Sequence, residues 1–253
     1  MGAGAGAHLH VEGDSALHRL PATTKLVGLL AFVLLVVAVP GPAYVPLAGL
    51  LGVALAILIS TGVPARHLAP RLLVEVPFLV FALVLPFVAL GPRVAVGPFE
   101  LSRTGLEGAW TLIAKGTIGV MCGVAFAVTT TARDLVEALQ RLRVPALMIA
   151  VFTFMIRYTS VVADDMRRMR IARESRGFRA GTWRSWPVLA TSLGALFVRS
   201  YERGERVHLA MLSRGHNGSF RLTDRSRPSA GQWGLALAPA VVAAAVMIQV
   251  RAA

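Results

Sequence analysis

Residues Pro145–Phe178 read PALMIAVFTFMIRYTSVVADDMRRMRIARESRGF. The first nineteen, Pro145–Ala163, are apolar apart from a few hydroxyls and Arg157, whereas the next fifteen carry five arginines and three acids. A hydrocarbon span needs roughly 20 mostly apolar residues, so hydropathy alone would let the first half cross a membrane. The distribution of basic residues gives a sharper test, with Lys115 and Arg157 set aside. If Pro145–Ala163 does not span and the N-terminus is cytoplasmic, 21 basic residues lie inside and three (Arg93, Arg103, Arg251) outside. If it does span, the better orientation splits them 16 to eight. Basic residues gather on the cytoplasmic side of membrane proteins. The segment is therefore expected to lie against the bilayer or dip into it.

Five other segments approach spanning length: Ala22–Val39, Tyr44–Ser60, Leu72–Leu90, Leu106–Val128 and Trp233–Val250. Pro40-Gly41-Pro42, Gly62-Val63-Pro64 and Gly91-Pro92 separate the first four. A signal peptide across Lys25–Tyr44 would have an unusually long leading region, so this segment reads as a retained anchor. The composition agrees with a membrane protein: 55% hydrophobic and 15% charged residues, with mean hydropathy +0.65. A net charge of +13 would also suit a nucleic-acid protein, but the apolar runs exclude that reading. The lone Cys122 sits in such a run and rules out a disulfide framework or a cysteine-rich metal site. The fold class expected is an all-α polytopic membrane protein. It has four N-terminal spans (1–131), a cytoplasmic or membrane-hugging region (132–230) and a C-terminal span (231–253).

The interval Ala132–Ala230 holds 18 arginines and eight acids. It reads as three helices: about Ala132–Leu142, Pro145 to about Gly177, and about Trp186–Gly215. Early prolines and terminal glycines mark the two long ones. Both begin apolar and end charged, as if starting near the membrane and projecting away from it. Their ends match. Ala172-Arg173-Glu174-Ser175-Arg176-Gly177 and Ala210-Met211-Leu212-Ser213-Arg214-Gly215 both fit Ala-x-x-Ser-Arg-Gly. The i,i+4 spacing sets Ala172 with Arg176, and Ala210 with Arg214, on single faces. Glycine suits the left-handed position that closes a helix. Ordinary helix termination explains one copy. Two copies at successive helix ends point to two presented guanidinium forks, suited to a partner's carboxylate or carbonyl.

These two motifs, with Met166–Phe178 and Ser200–Gly215 around them, resemble the signature motifs of the transmembrane T components of energy-coupling-factor (ECF) transporters. The cobalt-type, CbiQ-like members are most similar. His18-Arg19-Leu20-Pro21 with Lys25-Leu26, Arg157-Tyr158 and Asp164–Arg168 extend the likeness over nearly the whole chain. The resemblance implies a scaffold that holds a substrate-capturing S component and seats two ABC-type ATPases, through two long crossing coupling helices. It implies that Arg176 and Arg214 contact the ATPases, with Arg173, Ser175 and Ser213 in the same motifs. Ala172 and Ala210 would allow close approach, and Gly177 and Gly215 would close the helices. The second motif ends in His216, where the family commonly has an aromatic. The implied cargo is cobalt(II), with nickel or a vitamin as alternatives, and the implied location is the bacterial cytoplasmic membrane.

Intramembrane charges need a partner or a function. Glu75 and Lys115 can pair with one another or each reach an interface, and Arg157 suits an anchor at headgroup level. Gly119 and Gly123 form a small-xxx-small pattern that would pack the fourth span closely. Asp164 and Asp165 read as solvated partners of Arg167 and Arg168 on one helix. Trp183 and Trp186 suit a membrane interface. His8 and His10 sit on a Gly-Ala tail and do not make a metal site. No cofactor and no catalytic set is expected: the sequence has no G-x-x-x-x-G-K-[ST], H-E-x-x-H or G-x-S-x-G. A stand-alone permease using Glu75, Lys115 and Arg157 is the competing reading, although no inverted repeat of spans is evident.

Overall fold

The computed structural model describes residues 15–62, 75–96, 99–178, 183–218 and 228–252. Helices dominate it. In chain order they are α1 (Ala16–Arg19), α2 (Ala22–Ala38), α3 (Tyr44–Ser60), α4 (Val76–Val88), α5 (Arg103–Thr129), α6 (Ala132–Arg141), α7 (Ala146–Glu174), α8 (Trp186–Leu212) and α9 (Ala230–Ala252). An antiparallel hairpin, β1 (Arg93–Val96) with β2 (Phe99–Ser102), joins α4 to α5 in the register Arg93↔Ser102. The chain is an all-α polytopic membrane protein with this small β ornament.

The exposed surface identifies the solvent. Leu34, Leu83, Phe87, Val88 and Leu90 are 60% exposed or more, a pattern that water would penalise and acyl chains would not. By length and composition α5, α7 and α9 could each cross a bilayer, while α2, α3 and α4 are shorter apolar helices of 17, 17 and 13 residues. The third expected span, Leu72–Leu90, thus contains a helix only over Val76–Val88; positions 72–74 lie outside the described residues.

The chain forms two compact units, one running to Ala138 and resuming at Arg225, the other Leu139–Asp224. In the first unit a core of Phe32, Val36, Leu47, Leu50, Ile118 and Ala243 joins α2, α3, α5 and α9. Lipid tails are as apolar as these side chains, so close packing rather than the hydrophobic effect must hold the helices together. Glycine provides the closeness at two places. A Cβ on Gly28 would stand 2.1 Å from the Ala236 carbonyl oxygen of α9, and one on Gly105 would stand 2.7 Å from both the Leu85 oxygen and Pro86 of α4. The Gly119/Gly123 pattern does not do this. A methyl on either glycine would have no neighbour within 4 Å, so the expectation of close packing there is corrected.

Helix boundaries follow from local chemistry. The Ser102 hydroxyl caps α5 by accepting from the Gly105 amide (3.3 Å), and Thr131 caps α6 by accepting from the Asp134 amide (3.1 Å). Lys25, 4% exposed, donates to the Thr129 carbonyl at 2.6 Å. An ammonium thereby satisfies one of the carbonyls that the end of α5 leaves open.

Candidate functional site

The two long helices of the second unit, α7 and α8, lie side by side. Met166, Met169 and Arg173 of α7 line one cavity, of about 330 Å³, with Trp186–Leu196 of α8. Phe154, Tyr158 and Asp165 line another, of about 410 Å³, with Ser200–Met211. The pairing order is reversed, so the helices run antiparallel. The apolar start of α8 thus lies beside the charged end of α7. Asp165 differs from expectation. It accepts from Arg203 of α8 at 3.1 Å rather than pairing along its own helix. Arg170 and Glu174 make an exposed i,i+4 pair at 2.7 Å.

Both motif ends close identically. At the end of α7 the Gly177 amide donates to the Glu174 carbonyl (3.0 Å) and the Phe178 amide to Arg173 (3.1 Å). At the end of α8 the Gly215 amide donates to Leu212 (2.9 Å) and the His216 amide to Met211 (3.0 Å). This is the paired bonding of the Schellman motif, and both glycines adopt φ +78° as it requires. The aromatic missing at His216 is immaterial to the turn, because the closure uses that residue's amide. The serine in each motif has a role that its sequence position does not announce. Ser175 Oγ donates to the Ala172 carbonyl (3.1 Å), and Ser213 Oγ donates to Ala210 (3.0 Å). Each serine hydroxyl occupies a last-turn carbonyl that helix geometry leaves without an amide partner.

Ala172, Ser175, Arg176 and Gly177 are exposed, as are Ala210, Ser213, Arg214 and Gly215. Arg173 is set apart from them. It is half-buried, with its guanidinium 5.7 Å from the Phe178 ring centre. The two exposed arginines are placed with unexpected regularity. Arg176 stands eleven residues beyond Asp165, and Arg214 eleven beyond Arg203. At 1.5 Å per residue each tip lies roughly 16 Å from the ion pair along its helix, in opposite directions. The bridge marks an approximate two-fold centre relating the tips.

The other singled-out residues fall elsewhere. Lys115 and Glu75 each have a partner other than the expected one. Lys115 Nζ donates to the Val37 and Val39 carbonyls (2.9 and 2.8 Å), and Glu75, 5% exposed, accepts from the Thr117 hydroxyl. Arg157 is exposed on α7. Trp183 and Trp186 stack at 6.4 Å and are 87% and 63% exposed. His8 and His10 lie outside the described residues. One strained residue has no signal in the sequence. Arg143, just past the end of α6, adopts φ +61°, where glycine would be expected.

The sequence profile of the CbiQ cobalt transport protein family matches residues 13–224, including both motif ends. The chain belongs to that family. A cobalt transport protein CbiQ of Rhodobacter capsulatus is 28% identical over 246 residues, 94% of this chain and 97% of that protein. An ECF transporter transmembrane protein EcfT of Bacillus selenitireducens is 27% identical over 244 residues, 89% and 88% of the two chains. An uncharacterized protein of Methanocaldococcus jannaschii is 28% identical over 178 residues, 67% of this chain but 61% of its own length. The chain thus matches less than two thirds of that relative.

Proposed function

We propose that this chain is the T component of an ECF-type importer: a membrane scaffold that links two cytoplasmic ABC-type ATPases to a substrate-capturing S component. The observation that carries the proposal is the pair of matching tips. Two exposed guanidinium forks, on rigid helix ends of one geometry, are disposed about the Asp165–Arg203 bridge as two similar subunits would require. Full-length similarity to CbiQ and EcfT proteins supports it. The chain itself catalyses nothing in this reading, and ATP is hydrolysed by the partners. The excess of basic residues supports a cytoplasmic N-terminus and cytoplasmic tips at the inner membrane, with the apolar half of α7 against or within the bilayer.

Cobalt(II) is the proposed cargo on the strength of the CbiQ family, with nickel or a vitamin as the alternative that the S component would decide. Uptake of radiolabelled cobalt against nickel, with cognate partners present, tests both levels. Arg176→Glu combined with Arg214→Glu should abolish uptake while leaving membrane insertion intact, because each reversal sets a carboxylate against a site built for a guanidinium. Normal uptake by that double variant would sink the proposal.

A further inference from the structure

The membrane unit carries a groove that the coupling role does not use. It lies among α2, α4 and α5, has a volume of about 800 Å³, and is walled largely by apolar side chains such as Val33, Val37 and Phe78. Its walls belong to apolar helices of a membrane protein, so its lining suits acyl chains. Three ionisable groups nevertheless line it. Glu107 is accounted for by Arg103 at 3.1 Å. Glu75 and Lys115 are only partly accounted for.

Glu75 is 5% exposed, and among the described residues its hydrogen bond comes from the Thr117 hydroxyl. A carboxylate offers roughly four acceptor positions, so one hydroxyl leaves most of that capacity open. Gly116 stands alongside: a methyl there would touch Oε1, at 3.6 Å, so the glycine keeps a side chain off that edge of the carboxylate. Lys115, on the same wall, spends two of its three N–H groups on the Val37 and Val39 carbonyls. One donor remains. An apolar groove thus holds an anionic acceptor and a cationic donor with spare hydrogen-bonding capacity, where unpaired charge is expensive.

We propose that this groove binds a phospholipid whose head carries a primary ammonium, as phosphatidylethanolamine does. The ammonium donates to Glu75, the phosphate accepts from Lys115, and an acyl chain runs along the apolar wall. A choline head has no N–H to donate and a glycerol head has no cation, so both satisfy the site less completely.

The test uses the purified full-length chain in detergent, offered equal amounts of dioleoyl phosphatidylethanolamine, phosphatidylcholine and phosphatidylglycerol. Retained lipid is read by native mass spectrometry. The wild type should retain the ethanolamine lipid about tenfold over the choline lipid, the factor expected for one charge-assisted hydrogen bond. Glu75→Gln should erase that preference. Gly119→Leu supplies an independent variant, because the glycine lines the groove and has open space around it. It should occlude the groove and reduce retention of all three lipids, with helix content and elution volume unchanged. Equal retention of the ethanolamine and choline lipids by the wild type would overturn the proposal. So would ethanolamine-lipid retention that is unaltered in both folded variants.

Discussion

Gly177 and Gly215 show how one atom decides a surface. At φ +78° a Cβ would crowd the backbone, yet nothing else lies within 4 Å of where it would go. The penalty for a side chain is therefore purely conformational. Gly177→Ala and Gly215→Ala should each destabilise the coupling unit by about 1 kcal/mol, seen as a lowered apparent melting temperature in detergent. Arg143 supplies the control with the opposite sign. It already occupies φ +61°, so Arg143→Gly should raise the melting temperature by relieving a cost of similar size. If all three substitutions moved stability the same way, backbone handedness would not be what these positions share. The glycines and arginines of the two motifs can be read from the chain because helix-end chemistry is local. The serine hydroxyls cannot: donation to a carbonyl three residues back is one option among several for a serine in a last turn.

At the scale of elements, most helices are legible in the sequence and most helix contacts are not. The boundaries of α6, α7 and α8 fall within a few residues of those expected, because prolines, glycines and hydrophobic periodicity announce them. The β1–β2 hairpin escapes such reading. Its strands are four residues each, too short to separate from the apolar run before them, although the Gly97-Pro98 pair between them is an available signal. Contacts defeat sequence reading for a different reason. Gly28 and Gly119 look alike in an apolar helix, but only Gly28 of the two meets a neighbouring backbone, 2.1 Å from the Ala236 oxygen to a would-be Cβ. Gly28→Ala should therefore force α2 and α9 apart and cost on the order of 1–3 kcal/mol. Gly123→Ala should be neutral or slightly stabilising. Parallel thermal unfolding of the two variants separates them, and equal losses would contradict the packing assigned to α2 and α9. The Asp165–Arg203 bridge is similarly hidden, since Asp165 has a nearer candidate partner, Arg168, on its own helix.

For the whole molecule, the apolar surface and the lopsided arginine distribution settle that it is a membrane protein, and the paired motifs point to the family that the profile match then shows. What the chain alone does not disclose is that α7 and α8 run antiparallel. That arrangement turns two similar helix ends opposite ways from one ion pair, and it underlies the proposal of two ATPase seats. The most direct measurement of this claim is the number of ATPase subunits that co-purify with the tagged chain and its partners, counted by native mass spectrometry. Two copies should accompany the wild type. Arg176→Glu and Arg214→Glu alone should each reduce occupancy towards one, and the combined variant should retain none. Two retained copies in the combined variant would contradict it.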